Sequence, residues 1–359
     1  MRIAQIAPLW EQVPPSAYGG TELVVSLLTD ELVRRGHDVT LFASADSQTC
    51  GHLNPGAKQS LRKLGISDGE YNVYEQMQLS KVFSQAQNFD LIHSHVGYRA
   101  FPYANFSKTP VVHTLHGIIT SWLEPIFKQH RQQNFVSISH SQERSELELN
   151  YVGTVYNAIA PQNFQFYAQP DDPPYLAFLG RMSLEKGPHL AIEIAKRTQL
   201  PLKIAGKVDS VDAEFFKQQI APHIDGEQIQ FLGEANHQQK NELMGGAIAT
   251  LFPITWREPF GLVIIESFAC GTPVIAMNLG SAAEIIIPGQ NGFLCQSIET
   301  CVDAVSQLDQ ISRQTCRLYI EKTFNVKRMT DGYEGIYHKV LANKAEHNSN
   351  LNSPALVLN

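Results

Sequence analysis

What most constrains this chain is an alternation that runs through it twice. Short runs rich in Val, Ile, Leu and Phe are separated by longer segments of helical period, the pattern of βαβ units and therefore of parallel sheets. In the first half, strands are expected at residues 2–7 (RIAQIA), 38–43, 89–94, 110–115, 134–139 and 153–158. In the second half they are expected at 175–180, 201–206, 228–233, 248–253 and 272–277, with a short one at 292–295. Between the first two runs, TELVVSLLTDELVRR carries Leu23, Val24, Leu27, Leu28 and Leu32 on one apolar stripe and stops at Gly36. The expected class is α/β, with two doubly wound, Rossmann-like parallel-sheet domains.

Residues 161–174 hold four prolines and no clean period, which reads as a connection between domains. The chain then divides into an N-terminal domain (1–160), a linker (161–174), a second domain (175–325), a last helix (326–346) and a tail (347–359) expected to be mobile, where periodicity is lost. A length of 359 residues suits two such domains.

The net charge of −7 supplies no global basic field, which excludes a generic nucleic-acid binder. The opening apolar run is too short for a signal-peptide core, and no stretch reaches eighteen uninterrupted apolar residues. A cytoplasmic protein with no transmembrane segment is expected, peripheral contact with a membrane staying open. Five scattered cysteines with no CxxC pair fit reduced thiols packed in the core.

Chemistry concentrates after the strand ends, where α/β sheets bind ligands. In EPFGLVIIE (258–266) the amides of Gly261, Leu262 and Val263 open a helix and would point at an anion, most plausibly phosphate. Were the segment all helical, Glu258 and Glu266 would stand roughly 12 Å apart. That is too far for a glycosidase pair at about 5 to 9.5 Å, but it suits two groups gripping opposite ends of a nucleotide diphosphate sugar. The residues alone equally allow a solvated loop acid and a helix-face acid. Arg181 and Lys186 hang from one loop and could grip a diphosphate, or could be tied up by Glu185 in a surface ion pair. Gly19 and Gly20 precede the first helix, where a backbone either approaches a ligand or simply turns. His93 and His113 fall inside strands and suit the core, whereas His95 and His116 follow strand ends and are expected to face the cleft; a zinc site is disfavoured, because His113 and His116 would split between faces. No GxGxxG, GxSxG, HExxH or Walker pattern occurs.

Taken together, GGTE (19–22), HTLHG (113–117), LGR with EKG (179–187), AGK (205–207) and EPFGLVIIE resemble the retaining glycosyltransferases of family 4, over residues 1 to about 340. The resemblance implies the GT-B architecture, with the last helix crossing back to the first domain, and a metal-independent reaction without cofactor. Carried over, Gly19 and Gly20 with Arg181 and Lys186 would hold the diphosphate, Glu266 the ribose, and Glu258 with the Phe260 and Gly261 backbone the donor sugar, flanked by Leu262 and Val263. His116 would touch the sugar's hydroxyl side, making Glu258, His116, Arg181 and Lys186 the catalytic set, with His95 and Thr21 on the acceptor side. Partners would be a UDP- or GDP-sugar and a sugar, lipid or small-molecule acceptor. The alternatives are a sugar-nucleotide epimerase of the same architecture and a non-catalytic nucleotide-sugar-binding module. Two departures stand out: NAIA (157–160) for an NGID-like turn, where Ala158 brings a Cβ to the domain junction and bears on acceptor placement, and GSAAE (280–284) for GGxxE.

Overall fold

A computed structural model describes residues 1–352. Seven parallel strands form the first sheet: β1 (Arg2–Ile6), β2 (Asp38–Ser44), β3 (His52–Ala57), β4 (Leu91–Ser94), β5 (Val111–Thr114), β6 (Asn134–Ser137) and β7 (Tyr151–Thr154), in the order β3-β2-β1-β4-β5-β6-β7. Six form the second: β8 (Leu176–Leu179), β9 (Leu202–Ala205), β10 (Ile229–Phe231), β11 (Ala249–Phe252), β12 (Val274–Met277) and β13 (Gly292–Cys295), in the order β10-β9-β8-β11-β12-β13. In each sheet the chain starts centrally, winds to one edge, then crosses back to wind to the other, so each has a switch point beside its first strand.

Two strands differ from expectation. β3 was not anticipated because HLNPGA contains Pro55 and Gly56, but it is an edge strand, where a missing N–H is tolerated. β7 ends at Thr154 instead of covering 153–158: residues beyond it leave the sheet, and Ile159 bridges to Asn325. The two passages of the chain between the sheets thus lie side by side, the Ile159 amide donating to the Phe324 carbonyl at 3.1 Å.

The last helix, Val326–Asn352, runs past residue 346, because extending a formed helix is far cheaper than nucleating one. Of the expected tail, residues 353–359 lie outside the described residues. Tyr333 and Tyr337, one turn apart on this helix, are fully buried in the core of the first sheet with Ile3, Leu28 and Val112. Burying each aromatic ring contributes about 2 to 3 kcal/mol before conformational entropy is subtracted, which helps hold the chain's end to its beginning. Residues 161–174 attach to the second sheet: Phe164 is buried in its core and the Tyr167 amide donates to the Cys270 carbonyl. Cys270, Cys295, Cys301 and Cys316 are buried and Cys50 is exposed, all as free thiols. Among the described residues no helix is long and apolar enough to cross a membrane.

Candidate functional site: a cavity between the two sheets

One cavity takes its walls from both halves, from loops that follow β1 and β5 to β7 of the first sheet and β8 to β11 of the second. Two helix starts converge there. The helix Gly20–Arg34 begins at the end of the β1 loop and the helix Leu262–Ala269 at the end of the EPFG segment, and neither is capped by a side chain. A Cβ on Gly20 would stand 2.9 Å from Leu262 Cδ1, a measure of how closely the two helix starts approach. Uncapped amides and the positive ends of two helix dipoles are the features that favour an anion at a helix start. Gly19, Thr21, Gly261 and Val263 also line it.

Cationic side chains complete the arrangement. The Lys186 ammonium donates to Glu258 Oε2 at 2.5 Å and lies 5.0 Å from the ring centroid of Trp256, whose indole N–H donates to the same oxygen at 2.8 Å. Arg181 pairs with Glu185, the competitor visible in the sequence, yet it still lines the cavity. Its Nε lies 3.3 Å from Asp212 but is out of line for a hydrogen bond, leaving both atoms buried and unsatisfied among the described residues. Burial raises the Asp212 carboxyl above its usual range, more than the Arg181 charge lowers it. An arginine N–H held in this way is a donor waiting for an acceptor.

Glu258 precedes the helix and Glu266 lies on it. Because the helix starts only at Leu262, the two belong to different elements and have different partners: Glu266, almost wholly buried, accepts from Lys240 Nζ at 2.9 Å. The Glu258 loop rests on Gly280, at φ +59°, where an added Cβ would lie 2.4 Å from both the nitrogen and the oxygen of the Glu258 backbone. Four residues on, Glu284 accepts from the amides of His140 (2.9 Å) and Ser141 (2.7 Å) and from the Tyr156 hydroxyl (2.8 Å), so GSAAE supports the Glu258 loop at one end and pins the first half at the other. Phe260 turns its ring into the core, 6.2 Å from Tyr156 and 5.8 Å from Phe324, and reaches the cavity wall beside Gly261.

The histidines separate into two groups. His113 packs between Phe101 and Phe135, in the core as expected. His116 lines the cavity, but His95 does not; against expectation it is buried behind His116. The strand-end position is right, but the ring is enclosed by Gln5, His116 and the His93 ring, whose centroid lies 4.0 Å away. The resulting chain of contacts sets the tautomers. Gln5 Oε1 can only accept, so His95 Nε2 donates to it at 2.9 Å; His95 Nδ1 then accepts from His116 Nε2 at 2.9 Å, and His116 Nδ1 is left as a lone-pair acceptor. Gln5 Nε2 in turn donates to the Tyr337 hydroxyl at 3.3 Å, so the last helix helps orient the site. Burial holds these rings neutral, pushing His116 down to about 4 and His95 well below its usual value.

Several wall residues carried no motif. Lys240, on the helix His237–Gly246, shows only once the fold brings it to Glu266. Lys207 and Asn157, by contrast, belong to the AGK and NAIA segments. Asn157 lines the cavity with a buried Oδ1 that has no partner among the described residues, while Ala158 turns into the core and does not line it. Among the described residues no group of three or more His, Cys, Asp or Glu could hold a metal ion.

Two doubly wound parallel sheets whose carboxyl-end loops meet at one cavity make up the GT-B architecture. The family comparisons agree: the model described as glycosyl transferases group 1 matches residues 160–322, and that described as glycosyltransferase family 4 matches residues 18–148. The chain belongs to the group 1, family 4 glycosyltransferases. Among its relatives, glycogen synthase of Mycobacterium tuberculosis is 26% identical over 82% of each chain. N-acetyl-alpha-D-glucosaminyl L-malate synthase of Bacillus anthracis is 26% identical over 90% of this chain and 94% of the relative. Among solved structures, sucrose-phosphate synthase of Thermosynechococcus elongatus superposes with a TM-score of 0.79 at 18% identity, covering 95% of this chain and 99% of that one. Anabaena HepE, in complex with UDP and glucose, superposes with a TM-score of 0.70 at 19% identity, covering 94% and 100%.

Proposed function

We propose that this glycosyltransferase moves a hexosyl group from a UDP- or GDP-sugar to an acceptor hydroxyl with retention of configuration, in the cytoplasm and without a metal or other cofactor. The observation that carries the reading is Lys186 joined to Glu258 beside two converging, uncapped helix starts. In this reading the diphosphate lies against Gly19, Gly20, Arg181 and Lys186 and the first amides of the helix Leu262–Ala269. Its oxygens compete with Glu185 for the Arg181 guanidinium and take over the Lys186 ammonium. Glu258 is thereby freed to accept from hydroxyls of the donor sugar, and Glu266, oriented by Lys240, from those of the ribose. His116 Nδ1 accepts from a further sugar hydroxyl.

The reaction follows from where charge grows. The bond from the anomeric carbon to the diphosphate oxygen breaks, that oxygen takes the proton of the acceptor hydroxyl, and the new bond forms on the same face. The protein needs no general base of its own; its work is to stabilise the diphosphate as negative charge develops, by Arg181, Lys186 and the helix ends. Closing the halves would keep water from the activated sugar. The UDP found with HepE favours a uridine donor but leaves the acceptor unnamed.

The test is a thermal-shift screen with UDP, GDP and their sugars, followed by assay of slow donor hydrolysis with and without EDTA. One nucleotide and its sugars should stabilise the protein, and EDTA should change nothing. If no nucleotide sugar bound or was hydrolysed the reading would be wrong; if EDTA abolished the activity, its metal-free part would be.

A further inference from the structure

A strip of aromatic rings leads away from the cavity along the carboxyl edge of the first sheet. Trp10 follows β1, Tyr98 follows β4 and Trp122 follows β5, and because these strands are neighbours their loops stand side by side. Tyr71, in the first turn of the helix Asp68–Ser84, comes between them. Trp10 and Tyr71 meet edge to face at 5.9 Å; the Arg99 guanidinium lies 5.6 Å from the Tyr71 centroid and 5.0 Å from that of Tyr98; Tyr98 and Trp122 meet at 6.0 Å. At the cavity end, the Lys207 ammonium stands 5.7 Å from the Trp10 centroid and 5.5 Å from that of Tyr18, and both Lys207 and Tyr18 line the cavity. At the far end Trp122 is 68% exposed.

Core packing does not account for an indole so exposed. The strip is also held rigid: the Tyr71 hydroxyl donates to Glu75 at 2.7 Å, and Arg99 Nε donates to Asn72 at 2.9 Å while pairing with Glu75 at 2.8 Å. Preorganised rings of this kind lose little entropy on binding. Its cations are all compensated, Arg99 by Glu75, Lys207 by Asp209 and Arg62 by Glu11 and Glu234, so the strip has no positive charge to hold an anionic headgroup or a free phosphate. It offers the exposed indole of Trp122 and the half-buried rings of Trp10, Tyr71 and Tyr98, with polar atoms at their rims. A pyranose is complementary to that surface, with weakly positive C–H bonds on its faces and hydroxyls around its edge.

We infer that Trp10, Tyr71, Tyr98 and Trp122, set by Arg99, form an acceptor subsite for a neutral oligosaccharide whose terminal hydroxyl enters the cavity beside Lys207 and Tyr18. This rests on the transferase reading and names the substrate class it leaves unspecified.

The test titrates the full chain with maltohexaose, cellohexaose and mannohexaose, followed by tryptophan fluorescence, with donor hydrolysis measured in parallel. At least one hexaose should bind, and its disaccharide more weakly. Trp122→Ala should weaken the hexaose about tenfold, Trp122→Phe should recover most of the loss, and neither should change donor hydrolysis. Exposure of Trp122 makes both variants safe for folding. The inference fails if no hexaose binds, if Trp122→Ala binds as tightly as the parent, or if Trp122 instead governs binding to phosphatidylserine vesicles. Intact donor hydrolysis beside any of these results removes the subsite alone; absence of donor hydrolysis in the parent protein counts against the transferase reading.

Discussion

Arg62 of the first half grips Glu234 of the second across the cleft, with N···O distances of 3.0 and 2.6 Å. The same guanidinium holds Glu11 at 2.9 Å, so three residues from separate loops tie one side of the cavity shut. The Arg62 hydrogen bonds hold the Glu234 carboxyl below its usual range. Both side chains are about 30% exposed (31% and 29%), so solvent screening limits the pair to about 1 kcal/mol despite its two-pronged geometry. Arg62→Ala should raise the KM for the nucleotide sugar about three- to fivefold with little change in kcat. The exchange Arg62→Glu with Glu234→Arg should restore part of it, and added salt should reproduce the effect in the parent enzyme. An unchanged KM would reduce the pair to a surface contact.

Lys240 and Glu266 make a different kind of pair, both nearly inaccessible, with side-chain exposures of 15% and 5%. Removing one charge strands the other in a poor solvent. Lys240→Met should lower stability by about 2 to 3 kcal/mol, read by denaturant unfolding, and weaken donor binding at least tenfold. Adding Glu266→Gln should recover stability but not binding, because a carboxamide needs no cation yet grips ribose hydroxyls less well. Recovery of both would take Glu266 out of the donor site.

Gly280 touches no ligand in the proposed arrangement, yet Gly280→Ala should be severe. Its positive φ and the 2.4 Å approach to the Glu258 backbone leave no room for a Cβ. The Glu258 loop must move, and a displacement of about 1 Å costs on the order of a hundredfold in kcat. Steady-state kinetics should show that loss with the thermal midpoint lowered by only a few degrees. Near-normal kcat would mean that the loop has another resting position.

Acid should destabilise the fold through its buried imidazoles. His116 at about 4, His113 at about 3, and His93 and His95 well below their usual value are neutral when folded and protonate in the unfolded chain below about 6.5. Their contribution is therefore present above pH 6.5 and is lost as pH falls from there towards 4, each imidazole adding a slope of up to about 1.4 kcal/mol per pH unit. Glu22, raised by burial to about 7, titrates in the opposite sense between 4.5 and 7 and offsets one of them. The thermal midpoint should fall steadily between pH 6.5 and 5, while kcat from pH 6 to 9 should show no step due to His116. A midpoint independent of pH, or a kinetic step near 6.5, would mean that these rings are hydrated.

How much of this could be read in the sequence depended on how local each determinant was. The two sheets and the loop positions of Arg181, Lys186 and Glu258 are written in hydrophobic period and in the glycines that end strands, because period and turn chemistry act within a few residues. The start of the helix at Leu262 was legible for the same reason, and so was the core position of His113. Where local signals misled, neighbours in space had overridden them: β3 keeps its place at an edge despite Pro55, and His95, at a strand end, is enclosed by Gln5, His93 and His116. Only the tertiary structure could bring Lys240 to Glu266, Arg62 to Glu234, Gly280 under Glu258 and Tyr337 within reach of Gln5, for these pairs are separated by 26, 172, 22 and 332 positions. The sequence by itself determined the two α/β halves and the strand-end loops that carry Arg181, Lys186 and Glu258, since these follow from the periodicity of each half. How those groups are oriented, neutralised and brought face to face was decided by the packing of one half, and of the returning last helix, against the other, which no short window of residues contains.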